Sequence, residues 1–259
     1  MPATPLELDI LAIAAHRDDM EQTCGGTLLK MAQRGQRTGI LDLTQGEMGT
    51  RGTAEDRARE AADAARILGV IWRSALDIPD GRVENTWENR LKVASVIRET
   101  RPRVVILPYW KGRHPDHYTT FVLGYEACFL AGLTKLDPKE ALGSQHSAVS
   151  AQAGVAKLAP HRPFKIIYAT LYYDVRPTFV VDISQQFEQK FASILAYKSQ
   201  FSDQEPGKDL FPAHDEIRAR VDSMARFYGA LGGVTQAEPF LQKEVGLVED
   251  LLAIPVKSI

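Results

Sequence analysis

The chain has 259 residues, of which 44% are hydrophobic and 25% are charged, and its formal net charge is −2. This composition is that of an ordinary globular protein, and a chain of this length can bury a full core. Its lysines and arginines are scattered, so the sequence offers no broad basic surface for nucleic acid.

The N-terminal residues lack the basic and apolar regions of a signal peptide, and no segment approaches the roughly 18 apolar residues of a membrane span. We therefore expect a cytoplasmic protein with no membrane contact. The two cysteines, Cys24 and Cys128, are too few for a disulfide framework in a chain of this size. We expect both to be small, buried, apolar residues.

Taken in chain order, the first element is a nearly continuous apolar run over residues 8–15, typical of a strand buried on both faces of a parallel sheet. Gly25 and Gly26 then precede a helix predicted over 27–34, which Gly35 ends. Further strands are predicted at 38–43, 71–78, 103–107, 164–172 and 178–183, and further helices at 54–68, 87–99, 119–133, 186–197 and 215–228.

This alternation of strands and helices predicts an α/β fold: a Rossmann-like, doubly wound, mostly parallel sheet with helices on both faces. No linker-like composition divides the chain, so we expect a single domain over residues 1–259. Residues 137–160 are predicted to form a surface excursion, and residues 202–212 a loop.

Two polar clusters follow predicted strands of this sheet. Ligands of open α/β sheets bind beyond the carboxyl ends of the strands, so both clusters are expected at the binding edge. The first is His16-Arg17-Asp18-Asp19 with Glu21, and the second is His114-Pro115-Asp116-His117.

Each cluster alone could be explained by acidic residues that cap a helix. Together they bring three of the six histidines to one edge, and imidazole with carboxylate suits a hydrolytic zinc that keeps one position for water. A carboxylate beside a ligand could serve as general base, and a histidine oriented by a carboxylate could protonate a leaving amine. The same ligand types also suit iron, manganese or cobalt.

With these residues the chain resembles the LmbE/PIG-L-type zinc N-deacetylases. That family carries an Ala-His-Pro-Asp-Asp-x-Glu motif after the first strand and a later His-Pro-Asp-His motif. The corresponding segments here are Ala15-His16-Arg17-Asp18-Asp19-Met20-Glu21 and His114-Pro115-Asp116-His117. The likeness covers most of the chain, including Pro79-Asp80, and is greatest to the bacillithiol-pathway branch, which deacetylates N-acetylglucosaminyl malate.

The resemblance implies roles for individual residues. It implies one zinc ion per chain, with an acetylated amino sugar as substrate and a homo-oligomeric assembly. The implied metal ligands are His16, Asp19 and His117, the general base is Asp18, the oxyanion-stabilising acid is His114 paired with Asp116, and the substrate-binding arginine is Arg57. Independently of the resemblance, Glu47 follows the second strand and is positioned to reach the substrate, although a solvated loop glutamate fits the pattern equally well.

Three departures from the family pattern affect the pocket. Arg17 replaces the usual Pro or Ala, and we expect its side chain to point to solvent. The segment 202–217 lacks the tyrosine that relatives bring to the substrate, which leaves His214 as a candidate substitute. The excursion at 137–160 is also longer than in close relatives.

Two other functions remain open from the sequence. Another acetylated amino sugar could be the substrate, such as N-acetylglucosamine itself, a chitobiose unit or an antibiotic precursor. A non-catalytic nucleotide- or metal-binding module would share the fold. However, the first strand is not followed by a glycine fingerprint, and structural zinc sites are usually closed and rich in cysteine.

Overall fold

The fold was obtained as a computed structural model, which describes residues 6–138, 158–170, 175–201 and 214–256. Its strands are β1 (Ile10–Ala14), β2 (Thr38–Asp42), β3 (Trp72–Ala75), β4 (Val104–Pro108), β5 (Lys165–Ala169), β6 (Phe179–Asp182) and β7 (Ala237–Leu241). Its α-helices are α1 (Asp19–Gln33), α2 (Ala54–Ile67), α3 (Trp87–Thr100), α4 (Pro115–Ala131), α5 (Phe187–Leu195), α6 (Lys198–Phe201) and α7 (His214–Gly232).

The strands form one sheet in the order β3-β2-β1-β4-β5-β7-β6. The first five strands in this order are parallel, whereas β7 is antiparallel to both β5 and β6. The predicted α/β class with a mostly parallel sheet is therefore confirmed. The order reverses at β1 and β4, which creates the crevice in which ligands of such sheets bind.

Both faces of the central strands are covered. On β1, Leu11 and Ile13 pack in a cluster with residues of α3 and α4, and Ile10, Ala12 and Ala14 pack in a cluster with residues of α1. Since successive strand residues point to opposite faces, a strand covered on both sides must be apolar throughout. This explains the continuous apolar run at the start of the chain.

Two helices begin earlier than the sequence pattern predicted. The first, α1, starts at Asp19 and not at residue 27. It consists of two halves separated by a kink at Cys24, where φ is −142°. The backbone N–H groups of Gly26 and Thr27, freed by the kink, donate to the buried carboxylate of Glu238, at 2.8 and 2.6 Å. The predicted start therefore corresponds to the second half of α1.

The other early start is that of α4, which begins at Pro115 and not at residue 119. Proline at the first helical position is a recognised start signal, because its missing N–H has no partner there in any case. The second polar cluster is therefore the cap and first turn of a helix, and not a loop before it.

The strand β7 was not predicted. It contains Pro239 and the buried Glu238, which both argue against a strand from composition. Residues 139–157, within the predicted excursion, and residues 202–213, which include the predicted loop, lie outside the described residues. Within the described ranges, no helix is both long and apolar enough to cross a bilayer.

Candidate metal centre and active site

The polar residues predicted to act together meet at the carboxyl edge of the sheet. His16 lies two residues beyond β1, Asp18 and Asp19 begin α1, and His114 to His117 form the start of α4. The aromatic ring of His16 lies 4.8 Å from that of His114 and 5.3 Å from that of His117, measured between centroids. Residues about 100 positions apart in the chain thus form one site.

Three candidate ligand side chains form a triangle within this site. His16 Nδ1 lies 3.3 Å from His117 Nε2, and Asp19 Oδ1 lies 3.1 Å from His117 Nε2. Asp19 Oδ2 lies 3.6 Å from His16 Nδ1 and accepts a hydrogen bond from the backbone N–H of His16 at 2.8 Å. Zinc bonds of about 2.0–2.1 Å place tetrahedral ligand atoms about 3.3–3.4 Å apart. The three side chains therefore fit one zinc ion.

The second ring nitrogen of His16 faces carboxylates. Its Nε2 lies 3.1 Å from Asp80 Oδ1 and 3.1 Å from Asp116 Oδ2. This leaves Nδ1 for the metal, an arrangement in which an outer carboxylate fixes the orientation and tautomer of the ligand. Burial disfavours the charged imidazole, but hydrogen bonds and charges from Asp19 and Asp80 outweigh it and raise the pKa of His16 to about 11.

Burial and neighbouring charges also oppose each other at the other two side chains of the triangle, Asp19 and His117. Burial would raise the pKa of Asp19, yet the charge of His117 and hydrogen bonds from both histidines hold that pKa well below its usual range. Burial would lower the pKa of His117, and the charge and hydrogen bond of Asp19 raise it. Both shifts favour positive charge next to Asp19, and a bound metal ion would supply that charge in place of protons.

Asp116 does not pair with His114 as predicted. Its buried carboxylate accepts hydrogen bonds from the backbone N–H groups of Gly81 at 2.8 Å and Val83 at 3.2 Å, in addition to its contact with His16. Because its oxygens are engaged in this way, the carboxylate orients His16 and ties α4 to the loop after β3. Asp116 instead contacts His114 through its backbone N–H, which donates to His114 Nδ1 at 3.2 Å.

His114, the N-cap residue of α4, is exposed beside the triangle of His16, Asp19 and His117. Since Nδ1 accepts a hydrogen bond, the proton of the neutral ring is assigned to Nε2. Burial, followed by the neighbouring His16 and His117, lowers the pKa of His114. A lowered pKa favours the neutral ring, which retains one N–H that can be donated, and the role of His114 as an acid stays a prediction.

Asp18 occupies a strained position. Its backbone is left-handed, with φ 106° and ψ −19°, a region that costs free energy for any residue other than glycine and is common at functional sites. Burial, together with the charges of Asp19 and Glu21, raises the pKa of Asp18 to about 7, and the charge of Arg57 opposes this shift.

The predicted substrate-binding arginine is buried behind Asp18. Only 4% of Arg57 is exposed, and its Nη2 lies 3.5 Å from Asp18 Oδ1 and donates to the carbonyl of Arg17 at 2.5 Å. Arg17 is also buried, not solvent-facing as expected, and donates to the carbonyls of Gln45 and Ala54. Both arginines therefore hold the loops around Asp18.

Two further carboxylates, those of Glu47 and Asp80, lie next to the site. The side chain of Glu47 accepts hydrogen bonds from the backbone N–H groups of Asp80 at 2.7 Å and Gln45 at 3.2 Å. Glu47 thus holds the Asp80 loop next to the site. Asp80 was not among the predicted site residues, although its position after β3 at the binding edge was an available signal.

Comparisons with known proteins identify the family of the chain. Residues 11–128 match the family model described as "PIG-L: GlcNAc-PI de-N-acetylase". A diacetylchitobiose deacetylase of Thermococcus kodakarensis is 31% identical over 240 residues, covering 88% of this chain and 80% of the relative.

Two solved structures have the same fold and align with most of this chain. The conserved protein TT1542 from Thermus thermophilus is 38% identical, with a TM-score of 0.75 over 93% of this chain and 98% of that one. The N,N'-diacetylchitobiose deacetylase from Pyrococcus horikoshii is 25% identical, with a TM-score of 0.74 over 93% of this chain and 86% of that one.

Proposed function

Because the chain belongs to the PIG-L family of de-N-acetylases, we propose that it removes the acetyl group from an N-acetylglucosamine-type amino sugar in a zinc-dependent hydrolysis. The observation that carries the proposal is the triangle of His16 Nδ1, Asp19 and His117 Nε2, whose spacing suits one tetrahedral zinc ion. When bound there, zinc supplies Lewis acidity, which makes water a nucleophile near neutral pH and polarises the acetamide carbonyl.

In this proposal Asp18 is the general base. It adjoins the ligand Asp19 in the chain, and Arg57 beside it favours the ionised carboxylate that can accept a proton. The strained backbone is consistent with a side chain whose direction is set by the site and not by local preference.

His114 acts on the opposite side of the scissile amide. Its neutral ring, with Nδ1 held by the Asp116 backbone N–H, can donate Nε2–H to the carbonyl oxygen as negative charge develops there. Its exposure leaves the ring accessible to an incoming acetamide, whereas Asp116 serves the site through His16.

For the sugar beyond the acetamide, the proposal favours a neutral chitobiose-type substrate. The Thermococcus kodakarensis and Pyrococcus horikoshii relatives are diacetylchitobiose deacetylases. Arg17, Arg51 and Arg57 are all buried, so none of the three presents a free cation to a malate carboxylate. N-acetylglucosaminyl malate, to which the sequence motifs pointed, is the second candidate.

The test is acetate release by zinc-loaded enzyme from N,N'-diacetylchitobiose, N-acetylglucosamine and N-acetylglucosaminyl malate, compared at equal protein and zinc. The matched control is Asp18→Asn, expected to retain zinc and to lose about a hundredfold or more of the turnover. No acetate from any of the three substrates would refute the proposal. A higher kcat/KM for the malate glycoside would keep the activity and reverse the order of substrates.

A further inference from the structure

Tyr197 is a fully buried tyrosine to which the proposed chemistry gives no part. It lies between α5 and α6, and none of its surface is exposed. Its ring packs against Ala61 and Ala64 of α2. These alanines follow Arg57 by four and seven residues, so all three residues share one face of the helix. The small side chains leave room for the ring, and Arg57 lies at the N-terminal end of the same face.

The ring of Tyr197 contacts the arginine that lies beside Asp18. The guanidinium carbon of Arg57 lies over the ring, 5.5 Å from its centre. The negative face of an aromatic ring attracts a cation in this position, and the attraction is stronger where water is excluded. Nη2 of the same guanidinium group lies 3.5 Å from Asp18 Oδ1. Arg57 therefore links the tyrosine ring to the Asp18 carboxylate.

The hydroxyl group of Tyr197 contacts the helix turn that follows Asp18. It donates to Glu21 Oε1 at 3.0 Å. Burial raises the pKa of Tyr197 well above its usual range, and the charge of Glu21 raises it further, so the hydroxyl group keeps its proton. Glu21 is fully buried in the first turn of α1, and Asp18 is the N-cap residue of that helix. Tyr197 is thus connected to Asp18 by two routes.

The charge of Glu21 is compensated by another residue. Nη1 of Arg73 in β3 donates to Glu21 Oε1 at 2.5 Å, and Nε and Nη2 of Arg73 donate to the carboxylate of Asp42 at 2.8 and 3.0 Å. Because Arg73 supplies the opposite charge, loss of the Tyr197 hydroxyl group would leave no uncompensated buried charge. The hydroxyl group instead fixes the directions of the carboxylate and of the aromatic ring.

We propose that Tyr197 is a positioning residue for the general base: its ring holds Arg57 beside Asp18, and its hydroxyl group fixes the helix turn that Asp18 precedes. The inference rests on the proposed function of Asp18. The left-handed backbone of Asp18, with φ 106°, is a conformation that persists only when the surrounding side chains enforce it. Since Tyr197 acts through Arg57 and Glu21, its replacement should affect turnover and not substrate binding.

The first test is steady-state kinetics of zinc-loaded variants on the substrate that wild type turns over best. Tyr197→Leu removes the ring and the hydroxyl group, and should lower kcat about tenfold with little change in KM. Tyr197→Phe keeps the ring over Arg57, and should stay within about threefold of the wild-type kcat. If Tyr197→Leu does not fold, Tyr197→Met, which fills more of the space of the ring, is measured in its place.

The matched control is a second buried tyrosine, Tyr228 of α7. Its surface is also fully buried, and its hydroxyl group donates to the carbonyl of Val175 at 3.2 Å. Tyr228→Leu should lower the melting temperature, as Tyr197→Leu does, but should keep the wild-type kcat. A purely structural role of Tyr197 predicts the same kinetics for both variants, and that result would overturn the proposal.

A double variant tests whether the ring acts through Arg57. Tyr197→Phe and Tyr197→Leu differ in the ring, so in the Arg57→Met background their kcat values should agree within about twofold. A full tenfold difference in that background would overturn the proposal. Wild-type turnover in Tyr197→Leu, a change confined to KM, or an equal loss of kcat in Tyr197→Phe would also overturn it.

A crystal structure of Tyr197→Leu gives a result that does not depend on activity. The guanidinium group of Arg57 should have moved away from Asp18, with the three side chains of the metal triangle in place. An Arg57 that keeps its distance of 3.5 Å from Asp18 would overturn the inference. A wild type without deacetylase activity would instead refute the proposed function, so the two failures can be told apart.

Discussion

His16 determines how the site is organised, because each of its ring nitrogens has a separate task. Nδ1 faces Asp19 and His117, whereas Nε2 faces the carboxylates of Asp80 and Asp116 at 3.1 Å. A ring held on both sides has one orientation and one tautomer, which is what a zinc ligand requires. The site therefore depends on residues that would not touch the metal.

The first prediction concerns Asp116. Asp116→Asn should lower zinc affinity by roughly 10- to 100-fold, because the carboxylate that orients His16 becomes a neutral amide. Zinc retention can be measured against a chelator of known affinity, with far-UV circular dichroism to confirm folding. Asp182→Asn, at a carboxylate that is 47% exposed, is the control. Unchanged affinity in Asp116→Asn would show that the contact with His16 is not needed.

The second prediction separates two roles for Arg57. Because Arg57 is buried behind Asp18, Arg57→Met should lower kcat by about tenfold or more and change KM little. An arginine that binds the substrate uniformly would instead raise KM at constant kcat. Steady-state kinetics on the best substrate decides between these results, and Arg59→Met, at a neighbouring exposed arginine, should match wild type.

At the level of elements, α1 is a helix in two halves. The backbone of Cys24 is not helical and separates the two halves. At the start of the second half, the N–H groups of Gly26 and Thr27 donate to the carboxylate of Glu238 in β7. Lys190 of α5 neutralises that carboxylate at 2.6 Å and also donates to the carbonyl of Gln22. Both charged groups are almost completely buried. Their contacts join α1, α5 and β7 behind the candidate metal site.

The third prediction follows from this buried pair. Lys190→Met should cost about 3–5 kcal/mol of the free energy of unfolding, because Glu238 is left as an uncompensated buried charge. The exposed helix pair of Arg66 and Asp63 provides the control, since Arg66→Met should cost only about 0.5 kcal/mol. Urea unfolding followed by circular dichroism measures both. Equal, small losses in the two variants would mean that the buried ion pair does not stabilise the fold.

For the whole molecule, the candidate site lies at the starts of α1 and α4 and in the loops beside them, beyond the carboxyl edge of a sheet that has its own core. The central strands are buried on both faces by two separate apolar clusters, and the candidate ligand residues follow the strands and do not interrupt them. Small zinc domains fold only with metal, but a chain of 259 residues with such a core does not need that support.

The fourth prediction is therefore that metal removal abolishes turnover and preserves the fold. After dialysis against a chelator, the far-UV circular dichroism spectrum should stay unchanged, and the melting temperature should fall only by the contribution of the bound ion. Adding one equivalent of zinc should restore activity. An unfolded apoprotein would show that the metal is structural, and full activity without metal would exclude the proposed chemistry.

The sequence by itself determined the fold class, and it predicted which residues form the candidate site. An apolar run without alternation implies a strand covered on both faces, and repeated strand-helix units imply a parallel sheet, because both patterns follow from local geometry. The two histidine clusters were assigned to one edge of the sheet for the same reason, and the structure brings them within contact. The buried, unpaired state expected of Cys24 and Cys128 is likewise confirmed.

Only the tertiary structure decided which partners those residues contact. Asp116 supports His16 and not His114, Arg57 and Arg17 are buried behind the site, and Asp80 contacts a ligand without having been predicted. The strand β7 was not predicted because it contains a proline and the charged Glu238, which are both unusual in a buried strand. Glu238 is accommodated there because Lys190 and the N–H groups at the kink of α1 contact its carboxylate. Periodicity reports which face of an element is buried, whereas the partner of a polar side chain depends on residues far away in the chain, and only the folded geometry brings those together.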